Sequence, residues 1–170
     1  MNYLTTIFVI VVVLIAINLF KYDSFVINNK TYVVTRSPHS FETARILHRI
    51  DTNLANIARK VGYEYHDVHL SDHTPTPAVN FVAYSQNKRN IRLCTHYNNE
   101  PTDFGSLMYI AIHELAHCIV PHYDPLDAYG RTKHSDEFLE TVTRLYDVAR
   151  ANNIAVNHNI QGTLFCGHTL

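Results

Sequence analysis

Apolar and polar residues follow distinct periods along the chain, and each period predicts a different element. Between Ser40 and Gly62 apolar residues recur every three or four positions, which predicts an amphipathic helix with Ser40 as its N-cap and Gly62 as a left-handed C-terminal cap. The same spacing after Ser135 predicts a last long helix that Ser135 caps. Runs of β-branched and aromatic residues around Asn28-Asn29 predict a tight hairpin, because asparagine tolerates positive φ.

Shorter apolar runs predict the remaining strands. One strand is expected within residues 63–70 and another at 163–165. Two more, at 78–84 and 91–95, are joined by the polar turn 85–90. Either of these two could pair with an extended peptide at a sheet edge, or both could be plain sheet strands.

A strongly apolar helix is predicted to begin near Thr102 or Asp103 and to end at Pro121. It carries the motif HELAH at residues 113–117. Histidines four positions apart share one face of a helix, so His113 and His117 can bind one ion. A glutamate beside the first ligand is placed to act as a general base, which is the pattern of zinc metallopeptidases.

Burial strengthens the interpretation of this motif. Two histidines and a glutamate are costly to bury in so apolar a helix unless something binds them. The alternative is a pair of core histidines that hydrogen-bond to the protein. We therefore predict that His113 and His117 bind one zinc ion and that Glu114 is the catalytic base.

A catalytic zinc site needs a third protein ligand. His134 is the preferred candidate, because it lies just before the N-cap of the last helix, where packing fixes its approach, and because imidazole suits zinc. Asp136 is the next choice. The other downstream candidates are His122, Asp124 and Asp127.

The first part of the chain has a different character. Residues 4–20 are uncharged, rich in Ile and Val, and flanked by Tyr3 and Tyr22, which predicts an uncleaved transmembrane anchor over residues 1–22. The alternative is a cleaved signal peptide, but no lysine or arginine precedes the run and residues 15–18 make a poor cleavage site.

Charge and cysteine count bear on location. The nearest basic residues follow the apolar run, so the positive-inside rule predicts a single-pass membrane protein with residues 23–170 in the cytosol. An odd count of three cysteines is no disulfide framework and fits that side. Cys118 is expected to be a buried free thiol.

Composition bounds the remaining possibilities. The length of 170 residues indicates one folded domain after the apolar run, and the 46% apolar content is enough to build a core. A net charge of -1 leaves no basic field that would attract nucleic acid, so no direct nucleic-acid binding is expected.

The HELAH motif, a variable loop and then HSDEF at residues 134–138 resemble the WLM and SprT-like zinc metallopeptidases. That family carries H-E-x-x-H and a later H-x-x-x-F. The likeness covers most of residues 25–150, including the opening hairpin and the helix that follows it. It implies one zinc ion held by His113, His117 and His134, with Glu114 as the base.

The resemblance also implies an α+β fold of the minimal zincin type. In such a fold a small antiparallel or mixed sheet packs on an N-terminal helix and on the helix of the motif. The predicted function is that of a membrane-anchored zinc-dependent endopeptidase acting on proteins or peptides. The alternative is a non-catalytic, zinc-containing, membrane-anchored module that binds proteins. An oxyanion donor is undecided among four residues of the loop before His134: His122, Tyr123, Tyr129 and Arg131.

Overall fold

The computed structural model describes residues 3–75, 82–97, 100–121, 134–160, 164–166 and 168–169. Within these ranges the backbone alone is described at 13–20, 97, 164 and 168–169. The helices are α1 (Tyr3–Lys21), α2 (Ser40–Lys60), α3 (Phe104–Ile119) and α4 (Asp136–Ala151). The strands are β1 (Tyr22–Ile27), β2 (Lys30–Thr35), β3 (His69–Asp72), β4 (Ala83–Gln86), β5 (Asn90–Leu93), β6 (His96–Tyr97), β7 (Glu100–Pro101), β8 (Leu164–Phe165) and β9 (His168–Thr169).

Five of these strands form one mixed sheet in the order β1-β2-β3-β5-β4. The outer pairs β1/β2 and β4/β5 are antiparallel, whereas β2/β3 and β3/β5 are parallel. Helix α2 packs on β2 and β3, and α3 packs on α2, α4 and β4. The mixed sheet against two central helices confirms the predicted α+β class.

The turns that the sequence predicted have the expected backbone. Asn28 and Asn29 join β1 to β2 with φ of 49° and 62°, which confirms the hairpin. Gly62 has a φ of 80° and follows the last turn of α2, which confirms its role as a left-handed cap. Asn87 and Lys88 also have positive φ in the turn between β4 and β5.

Two local predictions were wrong. Ser40 is the first residue of α2 rather than its N-cap, because its hydroxyl bonds back to the N–H and C=O of Ser37, each at 2.7 Å. Of the strand expected within 63–70, only His69 and Leu70 belong to a strand, β3. Tyr65 and Val68 are buried, but they lie in a turn in which the Val68 N–H donates to the Tyr65 carbonyl.

A buried carboxylate fixes α2 on the sheet. Asp51 is 3% exposed and accepts hydrogen bonds from the Tyr32 hydroxyl at 2.7 Å, the Tyr65 hydroxyl at 2.8 Å and the Lys30 ammonium at 2.8 Å. The arrangement satisfies a charge that would otherwise be costly to bury. It joins β2, α2 and the loop before β3 into one unit.

Helix α1 differs from the other helices, since its described side chains are exposed except for the half-buried Thr6. Large apolar side chains exposed on it are Tyr3, Leu4, Ile7, Phe8, Val9, Ile10, Val11 and Val12. Among the helices in the part of the chain that the structure describes, none is sufficiently long and apolar to span a bilayer. A single-pass membrane location with a cytosolic domain is therefore not supported, which corrects that prediction.

The cysteines depart from the expectation that none is paired. Cys94, which follows β5, forms a disulfide with Cys166, 72 positions further along. An odd count thus conceals one pair, because sequence spacing does not show which side chains the fold brings together. Cys118 is free and buried, which confirms the prediction made for it.

Candidate metal centre

Helix α3 presents the histidines of the motif from a fixed position. Its N-cap is Asp103, whose carboxylate accepts from the Ser106 N–H at 2.8 Å and from the Ser106 hydroxyl at 3.0 Å. Buried apolar residues surround the motif along the helix: Leu107, Met108, Ile110, Ala111, Ile112, Leu115 and Ala116. The predicted start near Thr102 or Asp103 and the predicted end at Pro121 are confirmed, with Asp103 as the N-cap and Val120 as the C-cap.

The third histidine reaches the same place from the start of α4. Ser135 is the N-cap of that helix and accepts a hydrogen bond from the Phe138 N–H at 3.2 Å, as predicted. The ring centroids of His113 and His117 lie 5.1 Å apart, and His134 lies 4.9 Å from the first and 5.2 Å from the second. The structure therefore brings together the three histidines that the sequence had selected.

This group has the donor chemistry that zinc prefers. One nitrogen from each half-buried ring of His113, His117 and His134 lies within 4.8 Å of the other two. Nitrogens bound to one tetrahedral zinc at 2.0–2.1 Å would be roughly 3.4 Å apart, so small side-chain rotations would complete the site. Three imidazole donors match the protein ligands of a catalytic zinc site, whereas a structural site usually takes four.

Phe138 packs under all three histidines. Its ring is 1% exposed and stacks on the ring of His134, with centroids 4.1 Å apart and planes 10° from parallel. The rings of His117 and His113 lie 4.4 Å and 5.0 Å from it. The phenylalanine of HSDEF thus forms an apolar floor that limits how the three rings can move.

Glu114 is almost completely buried, at 7% exposure. Burial raises the pKa of its carboxyl group to about 7, although hydrogen bonds from the backbone N–H and side chain of Ser85 act in the opposite direction. Ser85 lies on β4, so the glutamate turns toward the sheet while the two histidines beside it turn toward α4. A carboxyl group with a pKa near neutrality suits proton transfer at physiological pH.

Strand β4, whose Ser85 bonds to Glu114, lies at an edge of the sheet. β4 pairs with β5 on one side and is the last strand in the sheet order. By contrast β5 pairs on both sides, with β3 and β4, so residues 91–93 cannot receive a further strand. Among the strands that the structure describes, Ala83–Gln86 has a neighbour on one side only, so of the two candidates for peptide pairing it is the one with an unpaired edge.

Several alternative candidates can be placed. Asp136 is the first residue of α4, with an exposed side chain, and does not belong to the group of three histidines. The remaining candidates for a ligand or an oxyanion donor lie outside the described residues: His122, Tyr123, Asp124, Asp127, Tyr129 and Arg131.

No family model and no curated protein matches the sequence. The fold is a small mixed α+β domain that resembles the WLM type. Similar solved structures are the crystal structure of Wss1 from Saccharomyces cerevisiae and that of a Wss1 mutant, each with a TM-score of 0.54 and 14% identity. Each covers 71% of this chain, and the matches span 89% and 91% of the Wss1 chains. At this identity the likeness shows the fold alone, and no SprT-like relationship is added by it.

Ser85 was missed in the sequence, where it appeared only as part of a polar turn. The motif identified Glu114 without indicating which strand would face it, because pairing across the sheet is set by long-range contacts. No local pattern marks a serine that bonds to a glutamate on a distant helix.

Proposed function

We propose that this protein is a zinc-dependent endopeptidase of the WLM type. The observation that carries the proposal is the convergence of three imidazoles beside a buried glutamate on the same helix. The motif provides two histidines and the glutamate on α3. The arrangement supports binding of one ion because His134, at the start of α4, lies close to both histidines of the motif. The WLM-like fold adds a scaffold consistent with this chemistry.

His113, His117 and His134 would hold the ion. Zinc bound there supplies Lewis acidity, which polarises a peptide carbonyl and makes water more acidic. Glu114 would take a proton from the attacking water and pass it to the nitrogen of the leaving amine. Ser85 would keep the carboxylate oriented through its N–H and hydroxyl, and Phe138 would keep the three rings converged.

The substrate would bind along the open edge of β4. An extended peptide can add to a sheet edge through main-chain hydrogen bonds, which are independent of sequence. Because Glu114 contacts Ser85 on this strand, a peptide paired with β4 would pass close to the carboxylate. Peptide-bond hydrolysis is therefore favoured over chemistry on a small amide, which would have no use for an open strand edge.

The test compares the full-length parent protein with Glu114→Gln. Both should retain one zinc per chain, measured by mass spectrometry of the metal after removal of free ions. Only the parent should cleave unfolded casein, and a chelator should abolish that cleavage. Loss of one general base corresponds to roughly 10²–10⁴-fold in rate.

The same experiment separates an enzyme from a zinc-containing binding module. A module would retain zinc and bind casein without hydrolysing it in either form. Equal cleavage by parent and Glu114→Gln would also contradict the proposal, because it would place the general base elsewhere.

A further inference from the structure

Three aromatic side chains from separate parts of the chain meet beside the candidate metal centre. The rings of Tyr109 on α3 and Tyr146 on α4 are stacked, with centroids 4.9 Å apart and planes 13° from parallel. His158, from the segment after α4, packs edge-on against both rings, at 5.7 Å from Tyr109 and 5.2 Å from Tyr146. These three residues are called the aromatic shelf below.

The shelf lies one helical turn from the first histidine of the motif. Tyr109 precedes His113 by four positions, so both share a face of α3, about 6 Å apart along its axis. Further along the α3/α4 contact, Phe138 meets His113 and His117. Shelf and histidines therefore follow each other along the same helix pair.

Tyr146 has a second relationship with the centre. Burial, chiefly, raises the pKa of its hydroxyl above the usual range, and contacts with Tyr109 and the charge of Glu114 act in the same direction. The hydroxyl donates a hydrogen bond to the Tyr109 carbonyl at 3.0 Å. The tyrosine is thus neutral, held in one orientation and within electrostatic reach of Glu114.

The segment that delivers His158 is itself anchored on α3. The Asn157 N–H donates to the Gly105 carbonyl at 3.0 Å, and the Asn157 side-chain amide lies 3.3 Å from the Ser106 hydroxyl. A Cβ at Gly105 would meet Asn157 at 3.2 Å, so glycine permits this close approach. Asn157 therefore fixes the position of His158. The side chain of His158 is exposed, and those of Tyr109 and Tyr146 are partly exposed.

We propose that the aromatic shelf is the subsite for the substrate side chain next to the scissile bond, and that it selects a flat apolar side chain. This inference rests on the proposed function. Rigid, partly exposed aromatic rings offer a large apolar contact at low entropic cost. The hydroxyl of Tyr146 is already used by the protein, so the stacked pair offers ring surface rather than a polar partner. The ring faces of the two tyrosines carry no cation that would pair with an acidic side chain.

The test uses two quenched fluorescent peptides that differ only at the residue after the scissile bond, phenylalanine in one and aspartate in the other. The zinc-loaded full-length parent should cleave the phenylalanine peptide with at least tenfold higher kcat/KM. Tyr109→Leu and His158→Ala should each reduce that ratio severalfold, mainly through KM. Tyr22→Ala, an exposed tyrosine on β1, is the matched control and should leave the ratio unchanged.

A binding measurement gives a readout without turnover. Calorimetric titration of Glu114→Gln with the same peptides should show the same preference for phenylalanine, and the added Tyr109→Leu change should remove it. Different results would contradict the proposed function and the proposed subsite. Absence of hydrolysis by the zinc-loaded parent overturns the proposed function, whereas hydrolysis with an unchanged phenylalanine-to-aspartate ratio in the Tyr109 and His158 variants overturns the subsite.

Discussion

The ring of Phe138 lies flat against the ring of His134, with centroids 4.1 Å apart, and it also contacts both histidines of the motif. This contact joins the start of α4 to the middle of α3. A phenylalanine that would otherwise be an ordinary core residue therefore also determines where the third histidine lies. The spacing H-x-x-x-F has a physical meaning here, because the two residues lie one turn apart on either side of the Ser135 cap.

Substituting Phe138 should separate packing from metal affinity. Phe138→Leu keeps most of the buried apolar volume but removes the flat surface under the histidines. Loss of such a supporting contact typically weakens metal binding by roughly 10–100-fold. We expect that loss in a competition titration against a fluorescent zinc chelator. Leu145→Met, at another buried position of α4, is the control and should leave zinc affinity unchanged.

Replacing the third histidine should have a larger effect. In His134→Ala the group retains only the pair on α3, and two imidazoles are too few for a catalytic zinc site. Zinc content after gel filtration should fall from one per chain to nearly none. His66→Ala, which removes an exposed histidine, should retain full occupancy. Full occupancy in His134→Ala would move the third ligand to another residue.

The sequence predicted the elements that depend on neighbouring residues. The start of α3 near Thr102 or Asp103, the cap at Ser135 and the turn at Asn28-Asn29 follow from local hydrogen bonding and φ preference, and all three are confirmed. His134 was selected from ligand preference and its position before a cap, which is again a local property. The structure adds that its ring lies near the other two.

Long-range pairing was beyond the reach of such patterns. Ser85 with Glu114, Cys94 with Cys166, and Tyr109 with His158 each join distant segments whose approach depends on the whole fold. Composition also misled the interpretation of the cysteines, because a count cannot show which thiols meet. Sheet order had the same limit, since an apolar run does not reveal whether a strand is central, like β5, or at an edge, like β4.

The buried carboxyl group predicts a pH dependence of stability in the metal-free protein. Folding raises the pKa of Glu114 from 4.5 to about 7, so the folded state binds more protons between these values. The contribution of this carboxyl group to the free energy of unfolding is fully present below pH 4.5. It falls by about 3 kcal/mol as the pH rises toward 7. Urea unfolding in a chelator should show this decline in the parent relative to Glu114→Gln.

Ser85→Ala provides a second check on the same carboxyl group. The serine side chain lowers the pKa of Glu114, so its removal should extend the decline to higher pH, while the backbone N–H still contributes. Bound zinc should act in the opposite direction, because a nearby cation favours the carboxylate. Identical pH profiles for the parent and Glu114→Gln would show that the glutamate does not titrate in this range.

The disulfide predicts a stability that depends on redox conditions. Cys94 and Cys166 close a loop of 72 positions, and joining its ends restricts the unfolded chain by up to about 4 kcal/mol. Cys166→Ser should therefore lower the free energy of unfolding by a few kcal/mol and make it insensitive to dithiothreitol, whereas dithiothreitol should lower the parent to the same value. Because the tail after Asn157 is anchored on α3 independently, at Gly105 and Ser106, zinc content should stay at one per chain in Cys166→Ser. Two results together would show that Cys94 and Cys166 are not bonded in solution. Unfolding of the parent would not respond to dithiothreitol, and thiol titration before reduction would detect two free thiols per chain in addition to Cys118.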